Sequence, residues 1–277
     1  MTLVTLTPSQ IETAIAWAAA EGWNPGLSDQ PCFLAQDAGL FLGVVEAGAL
    51  LAVISATRYA ENFGFIGFYI ARPDQRGRGH GLAVWRAAMA RLEGRLIGLD
   101  GVVAQQANYR RSGFSLAWNN IRFGGVPQVP DAGGGGIVPA ARVPFAALAA
   151  LDRCVFPVAR HDFLRAWLDT PGHAARAMLR DGAVTGLGVL RPCREGHKIG
   201  PLVAEDSATA AALAAALLVG LPPAPVFLDV PEPARHAVAL AESLGLKPVF
   251  ETARMYTGPA PALRLDRVFG ITSFELG

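Results

Sequence analysis

The sequence predicts an α/β protein, a mixed sheet with helices on both faces, built twice along one chain. Three observations predict it. A glycine- and proline-rich segment, GGVPQVPDAGGGG from Gly124 to Gly136, divides the 277 residues into similar lengths. Each length runs strand, helices, strand hairpin, further strand, helix, strand, helix, strand. Five landmarks then recur at offsets of 132–134 residues, a constancy that marks an internal duplication.

Taken in order, strand-like Leu3-Val4 leads into a helical region that ends at Trp23-Asn24-Pro25. LFLGVVE and ALLAVISATRY flank the Ala47-Gly48 turn, the pattern of a hairpin. FGFIGFYIA supplies the next strand. Leu82, Trp85, Met89 and Leu92 then lie at the spacing of one helix face. IGLDGVV returns to strand, QQANYRRS to helix, and WNNIRFGG is expected to close the first copy. Antiparallel hairpins feeding a strand–helix–strand crossover imply the mixed sheet.

The second copy answers each landmark. Ile137-Val138 corresponds to Leu3-Val4, Val155-Phe156-Pro157 to the Trp23 segment, and the RDG turn at 180–182 to EAG at 46–48. Val203 corresponds to Ile70, and LGL at 244–246 to SGF at 112–114. The segment between the copies cannot sustain a helix or an interior strand. The expected boundaries are therefore a first domain at 1–126, a linker at 127–136 and a second domain at 137–277.

Composition narrows the function. A hydrophobic share of 52% against 17% charged supports a sizeable core and argues against wholesale disorder. A net charge of +1 provides no field suited to nucleic acid or an acidic membrane as partner. Cys32, Cys154 and Cys193 are scattered and odd in number, which suits a reduced, cytoplasmic setting and lacks zinc-site spacing. His161, His173, His197 and His236 show no ligand pattern, so no metal is expected. The N-terminus carries no signal-peptide pattern, and the apolar run ATAAALAAALLVGL stops at Pro222-Pro223, too short to span a bilayer.

The loop RGRGHG, residues 76–81, sits between an apolar strand and an amphipathic helix. It is neither a P-loop nor a dinucleotide fingerprint, since G-x-x-x-x-G-K-S/T is missing and its glycines alternate as G-x-G-x-G. Glycines let backbone N–H groups close around phosphate oxygens, and the following helix adds unpaired donors and the positive end of a dipole. Arg76 and Arg78 add charge-assisted donors. Together these suit a pyrophosphate, the alternative being a tight surface turn with its arginines in solvent.

PDQRGRGHGLAVWRAAMARL resembles the acetyl-CoA-binding motif of the GNAT superfamily of acyltransferases, Arg/Gln-x-x-Gly-x-Gly/Ala. NYRRSGF is similar to that family's Tyr-x-x-x-Gly-Phe segment, and the strand order of the first half matches too. GWNPG, LDGVVAQQANYRRSGF and the closing VFGITSFELG look closest to a subgroup with a second GNAT-like domain. The resemblance implies two tandem GNAT-like domains, the second lacking the CoA loop. It implies an acetyl-CoA-dependent N-acetyltransferase acting by direct attack in a ternary complex, with a small-molecule or peptide amine as acceptor.

Carried over residue by residue, the resemblance puts pantetheine against Phe68, Tyr69 and Ile70. It puts the pyrophosphate on the backbone of Arg76, Gly77, Arg78, Gly79, His80 and Gly81. Tyr109 matches the family tyrosine that protonates the departing sulfur, or else packs its ring beneath the cofactor. Asn108 and Gln105 could touch pantetheine or substrate, or be ordinary helix-surface residues. Trp23 and Asn24 fall where relatives shape the acceptor pocket, or serve as core plug and turn. The strand before the loop carries no carboxylate, which leaves Glu61 and Asp100 as candidate bases acting through water. The segment matching the loop in the second copy, VAEDSATAA at 203–211, has neither arginine nor glycine, and the position matching Tyr109 falls near Ala241. The second half is therefore expected to keep the fold and bind no acetyl-CoA. A CoA-binding sensor or scaffold without turnover is the rival class, and transfer of a longer acyl group a third reading. The sequence is equally compatible with a monomer and a homodimer.

Overall fold

The computed structural model of the protein describes residues 1–129 and 135–277. Residues 130–134 of the expected linker lie outside these. The N-terminal half contains β1 (Thr2–Thr5), α1 (Pro8–Ala20), α2 (Asp29–Gln36), β2 (Phe41–Glu46), β3 (Ala49–Tyr59) and β4 (Phe63–Ala71). It continues with α3 (His80–Arg91), β5 (Leu96–Val102), α4 (Gln106–Arg111) and β6 (Ser115–Gly125). The order then repeats: β7 (Ile137–Pro139), α5 (Phe145–Val155), α6 (His161–Asp169), β8 (Ala174–Arg180), β9 (Ala183–Pro192) and β10 (His197–Ala204). After α7 (Ser207–Leu218), β11 (Val226–Pro231), α8 (Arg235–Ser243) and β12 (Lys247–Tyr256), a short β13 (Val268–Gly270) follows. No helix of the described residues is long and apolar enough to cross a membrane.

Local chemistry explains the repeated hairpins. Ala47 and Gly48 have φ of 48° and 80°, and Asp181 and Gly182 have 52° and 79°. Two successive left-handed residues are what the tightest hairpin turn requires.

The strands form one 13-stranded sheet in the order β1-β2-β3-β4-β5-β12-β6-β11-β10-β9-β8-β7, with β13 paired to β10. The order is a palindrome in which the last strand of each copy has changed sides. β12 pairs antiparallel with β5 and β6, while β6 pairs antiparallel with β12 and β11. WNNIRFGG, expected to close the first copy, thus lies beside the fifth strand of the second. A strand's own pattern reports that it is a strand and which faces it presents, not which edge it joins.

Two reciprocal ion pairs rivet the exchange. Arg254 of β12 lies opposite Asp100 of β5 and donates to both its oxygens at 2.7 and 2.6 Å. Arg122 of β6 lies opposite Asp229 of β11 and does the same at 2.7 and 2.8 Å. All four side chains are buried. A shared apolar core joins the halves as well, with Phe33 of α2 stacked on Trp167 of α6 at 6.3 Å between centroids.

Each copy also has a kink in its fourth strand. Register slips between β3 and β4 around Gly67-Phe68, where Phe68 has a φ of 47°. It slips between β9 and β10 around Gly200-Pro201, the equivalent point. Parallel pairing to the fifth strand stops just before each kink, at Ile66 with Leu99 and at Ile199 with Leu228. Past those points the strands separate. In the second half β13 fills the gap, pairing with β10 at Leu202 and Val203, and Ile271 N–H then donates to Asp229 O of β11. The tail continues to the first half, where Tyr59 Oη donates to Leu276 O at 3.0 Å, while Arg160 of the second half donates to Gly277 O at 3.1 Å.

Candidate active site

Between β4 and β5 the equivalent gap is open, a cavity of about 540 Å³. Phe68, Tyr69 and Ile70 line it from β4, and Asp100, Gly101 and Val102 from β5. Gly77, Gly79, Gly81 and the Arg76 side of the loop line it at the start of α3.

The loop is shaped by its glycines. Gly77 and Gly79 have φ of +76° and +87°, left-handed conformations that residues with a Cβ resist. At Gly81 a Cβ would stand 2.9 Å from the Tyr69 hydroxyl. Among the described residues, the N–H groups of Gly77 through Gly81 donate to no backbone acceptor. The N-cap of α3 is Gly79, which offers no side-chain oxygen, so the first-turn donors also stay free. Converging unpaired amides and a helix dipole make a cradle for a polyoxygen anion. Arg76 bends back to Glu21, the residue that caps the end of α1, and donates to Ala71 O at 3.2 Å.

A direct expectation follows for Gly79→Val. A β-branched residue at this φ stores about 1–3 kcal/mol of strain, which relaxes by rotating the amides out of the cradle. If the loop holds the pyrophosphate that its resemblance to an acetyl-CoA motif implies, affinity for acetyl-CoA should fall roughly tenfold to a hundredfold, read by calorimetry. Unaltered affinity would separate the loop from phosphate binding.

Tyr109 projects from α4. Its ring stacks on Trp85 at 5.6 Å and lies so close over Gly101 that a Cβ there would overlap it. The β5 glycine is thus what lets the tyrosine ring lie against the sheet at the edge of the cavity. Burial, with a smaller contribution from neighbouring Tyr69, pushes the Tyr109 phenol well above the ordinary tyrosine range. It stays protonated through neutral pH and can donate.

Trp23 lines the cavity too, and so do Phe250 and Thr252 of β12 and Phe274 and Glu275 of the tail. The second half therefore completes the first half's cleft. Sequence reasoning had no signal for Phe250 or Thr252. For the tail it marked VFGITSFELG as a whole, an interface or pocket segment or else plain strand, and singled out neither Phe274 nor Glu275.

Other expected residues lie elsewhere. Asn24 is outside the cavity lining: its side chain donates to Glu195 O at 3.0 Å and accepts from Glu195 N–H at 2.9 Å, joining the halves. Asn108 is exposed and bonded to Gln105 and Arg111, while His80 is half-buried, outside the cavity lining, with Nδ1 3.2 Å from Met1 Sδ. Arg78 is exposed and also outside the lining. Glu61 is exposed in the turn between β3 and β4, at the end of β4 remote from the kink. Asp100 does line the cavity, yet both its oxygens are held by Arg254, and Asn120 Nδ2 adds a third bond at 2.7 Å. That arrangement suits a structural anion better than a proton acceptor.

The second half shows why its own gap holds no such site. Asp206 caps α7, accepting from Thr209 N–H at 2.7 Å and pairing with Arg180 at 3.1 Å. Those bonds hold its carboxyl below the usual range. A carboxylate stands where the loop of the first half leaves donors free. Ala241, near the position matching Tyr109, is a buried core residue. Among the described residues no cluster of three or more His, Cys, Asp or Glu could hold a metal ion.

Comparisons with known proteins agree with this geometry. Residues 9–114 match a family described as "Acetyltransferase (GNAT) family", and residues 148–270 one described as "Acetyltransferase (GNAT) domain". The chain is 28% identical over 263 residues to a protein named holothin acyltransferase from Pseudoalteromonas sp. (strain SANK 73390), covering 94% of this chain and 89% of that one. A solved structure from Pyrococcus horikoshii superposes with a TM-score of 0.84 at 21% identity, covering 100% of this chain and 95% of the other. A tandem GNAT protein from the clavulanic acid biosynthesis pathway superposes at 0.63 with 17% identity, covering 94% and 99%. The two structural likenesses are likenesses of fold.

Proposed function

Since this chain belongs to the GNAT superfamily as two GNAT domains in tandem, we propose that its N-terminal half is an acetyl-CoA-dependent N-acetyltransferase acting on a primary amine. The observation that carries the reading is the open gap between β4 and β5, with free loop amides at α3 and the buried phenol of Tyr109 in its lining. Similarity to a protein named as an acyltransferase supports acyl transfer as the reaction class.

In this reading the amides of residues 77–81 bind the diphosphate. The pantetheine arm takes the place beside β4 that β13 takes beside β10. Among the described residues the β4 backbone has no strand partner on the β5 side past Ile66, so the N–H groups that face that side are free to hold the pantetheine amides and the thioester carbonyl. A donor fixed at that carbonyl stabilises the oxyanion as the amine attacks. The C–N bond forms, the C–S electron pair goes to sulfur, and Tyr109 supplies the proton that makes the thiol. A sensor that binds CoA without turnover would have no use for a buried phenol at that point.

Calorimetry should find one acetyl-CoA site per chain, because the second gap is filled by β13 and its phosphate position by Asp206. Two equivalent sites would contradict the role given to the C-terminal half. Thiol release from acetyl-CoA on addition of a primary amine tests the transfer itself; a chain that binds acetyl-CoA and releases no thiol across a broad amine panel is the sensor.

A further inference from the structure

A primary amine is mostly protonated at neutral pH and must lose a proton before it attacks. Three carboxylates line the cavity: Glu21, Asp100 and Glu275. Glu21 is paired with Arg76 beside the loop, and Asp100 is saturated by Arg254 and Asn120. Glu275 differs. It is 4% exposed, and its Oε2 takes no hydrogen bond from any described residue. Buried carboxylates are ordinarily hydrogen-bonded, so an unsatisfied one beside a cavity is a vacant acceptor.

Its position is set by the tail. The Glu275 carbonyl lies on β4 at Gly67 so tightly that a Cβ on Gly67 would overlap it. That is the residue before the Phe68 kink, where the strands begin to part. Arg122 of β6, Arg191 of β9 and Lys198 of β10 act on Glu275 electrostatically. Each has a partner of its own, namely Asp229, Asp29 and the Asn24 carbonyl. The other titratable groups lining the cavity are Tyr69, Tyr109, Arg76, Glu21 and Asp100. Trp23, Phe250 and Phe274 line the same cavity, and Arg122, which acts on Glu275, lies over the Phe250 and Phe274 rings and donates to Trp23 O.

Resting on the acetyltransferase reading, we propose that Glu275 is the acceptor-side carboxylate that takes the amine's protons, and that the Trp23, Phe250 and Phe274 walls select a compact apolar or aromatic primary amine. Glu275 accepts one proton from the bound ammonium and passes it to solvent. The freed lone pair attacks the thioester carbon, the C–S pair goes to sulfur, and Tyr109 protonates the sulfur. The second nitrogen proton leaves through Glu275 and, by way of solvent, restores the Tyr109 phenol. Ammonium and thioester thereby give amide, thiol and one proton.

The test uses the full chain as wild type, Glu275→Gln, Glu275→Asp and the remote control Glu61→Gln, with 2-phenylethylamine as probe and spermidine and a lysine-containing peptide as contrasts. Acetyl-CoA affinity by calorimetry should be the same in all four proteins. Glu275→Gln should lower kcat by about 10² or more and remove the acidic limb of the pH profile, Glu275→Asp should recover part of both, and Glu61→Gln should match wild type. Unchanged kcat and acidic limb in Glu275→Gln would overturn the base, as would loss of acetyl-CoA binding, which signals a structural role. Preferential turnover of spermidine or the peptide, or failure of 2-phenylethylamine to bind the CoA-loaded protein, would overturn the acceptor class. Failure of the wild type to bind acetyl-CoA would instead remove the parent reading and this one with it.

Discussion

Replacing Tyr109 by phenylalanine is expected to lower kcat about 10²–10⁴-fold while leaving the KM for acetyl-CoA nearly unchanged. The substitution keeps the ring, its stacking on Trp85 and its seat over Gly101, so the cleft should retain its shape. What disappears is the proton offered to sulfur, an interaction made only as the C–S bond breaks. Loss of a group used only in the transition state lowers kcat and kcat/KM together. Burial pushes the phenol pKa up, and the protonated form is the active one. The alkaline limb of wild-type kcat should therefore lie above the ordinary tyrosine value of about 10, and in the variant that limb should vanish. Steady-state rates over a pH series read both effects. An unchanged kcat would take Tyr109 out of the chemistry and leave it a packing residue.

Replacing Arg254 by alanine is expected to destabilise the fold by about 3–5 kcal/mol, since it strands Asp100 as a buried charge. In urea or thermal unfolding this should appear as the largest loss of any single substitution in the central strands. Arg122→Ala should behave alike through Asp229. Removing both partners at once, as in Arg254→Met with Asp100→Leu, should restore much of the loss, because the cost is that of an uncompensated charge. The Asp229 side of the device is also pH-dependent. Burial alone would raise its carboxyl, but Arg122 holds it below the usual range. A depressed folded value means the contribution is complete above the unfolded pKa of about 3.9 and is lost as pH falls below it. A double-mutant cycle showing no coupling between Arg254 and Asp100 would deny the pair its role.

Much of the frame was legible because it is local. The hairpin turn at Ala47-Gly48, the strand at 63–71 and the helix face of Leu82, Trp85, Met89 and Leu92 depend on residues close in sequence. So does the RGRGHG cradle, whose donors belong to one loop and one helix end. Tyr109 was legible through its motif. The exchange of β6 and β12 was not, since it depends on pairing between strands about 130 residues apart, and periodicity carries no partner information. A trace of it was present: Arg122 and Arg254 are like charges within strands at nearly the duplication offset, and so are Asp100 and Asp229. Asn24 was drawn toward the cleft by its neighbour Trp23, whereas its left-handed φ of 50° turns it to the other half. The tail VFGITSFELG stood out as a segment, but Glu275 was not singled out within it, because nothing in a terminal segment announces which side chain will reach the cavity.

The position of β12 between β5 and β6 has a consequence for how the chain is made. When residue 125 is joined to the growing chain, the sheet to which β5 belongs lacks its neighbour, and that neighbour is still about 130 residues from being complete. At roughly 5–20 residues per second, the interval is on the order of ten seconds. Throughout it the β5 edge and the half-built cleft are bare. Nascent chains stalled short of residue 256 should therefore be captured by holdase chaperones and cut by protease, and chains released past the tail should not.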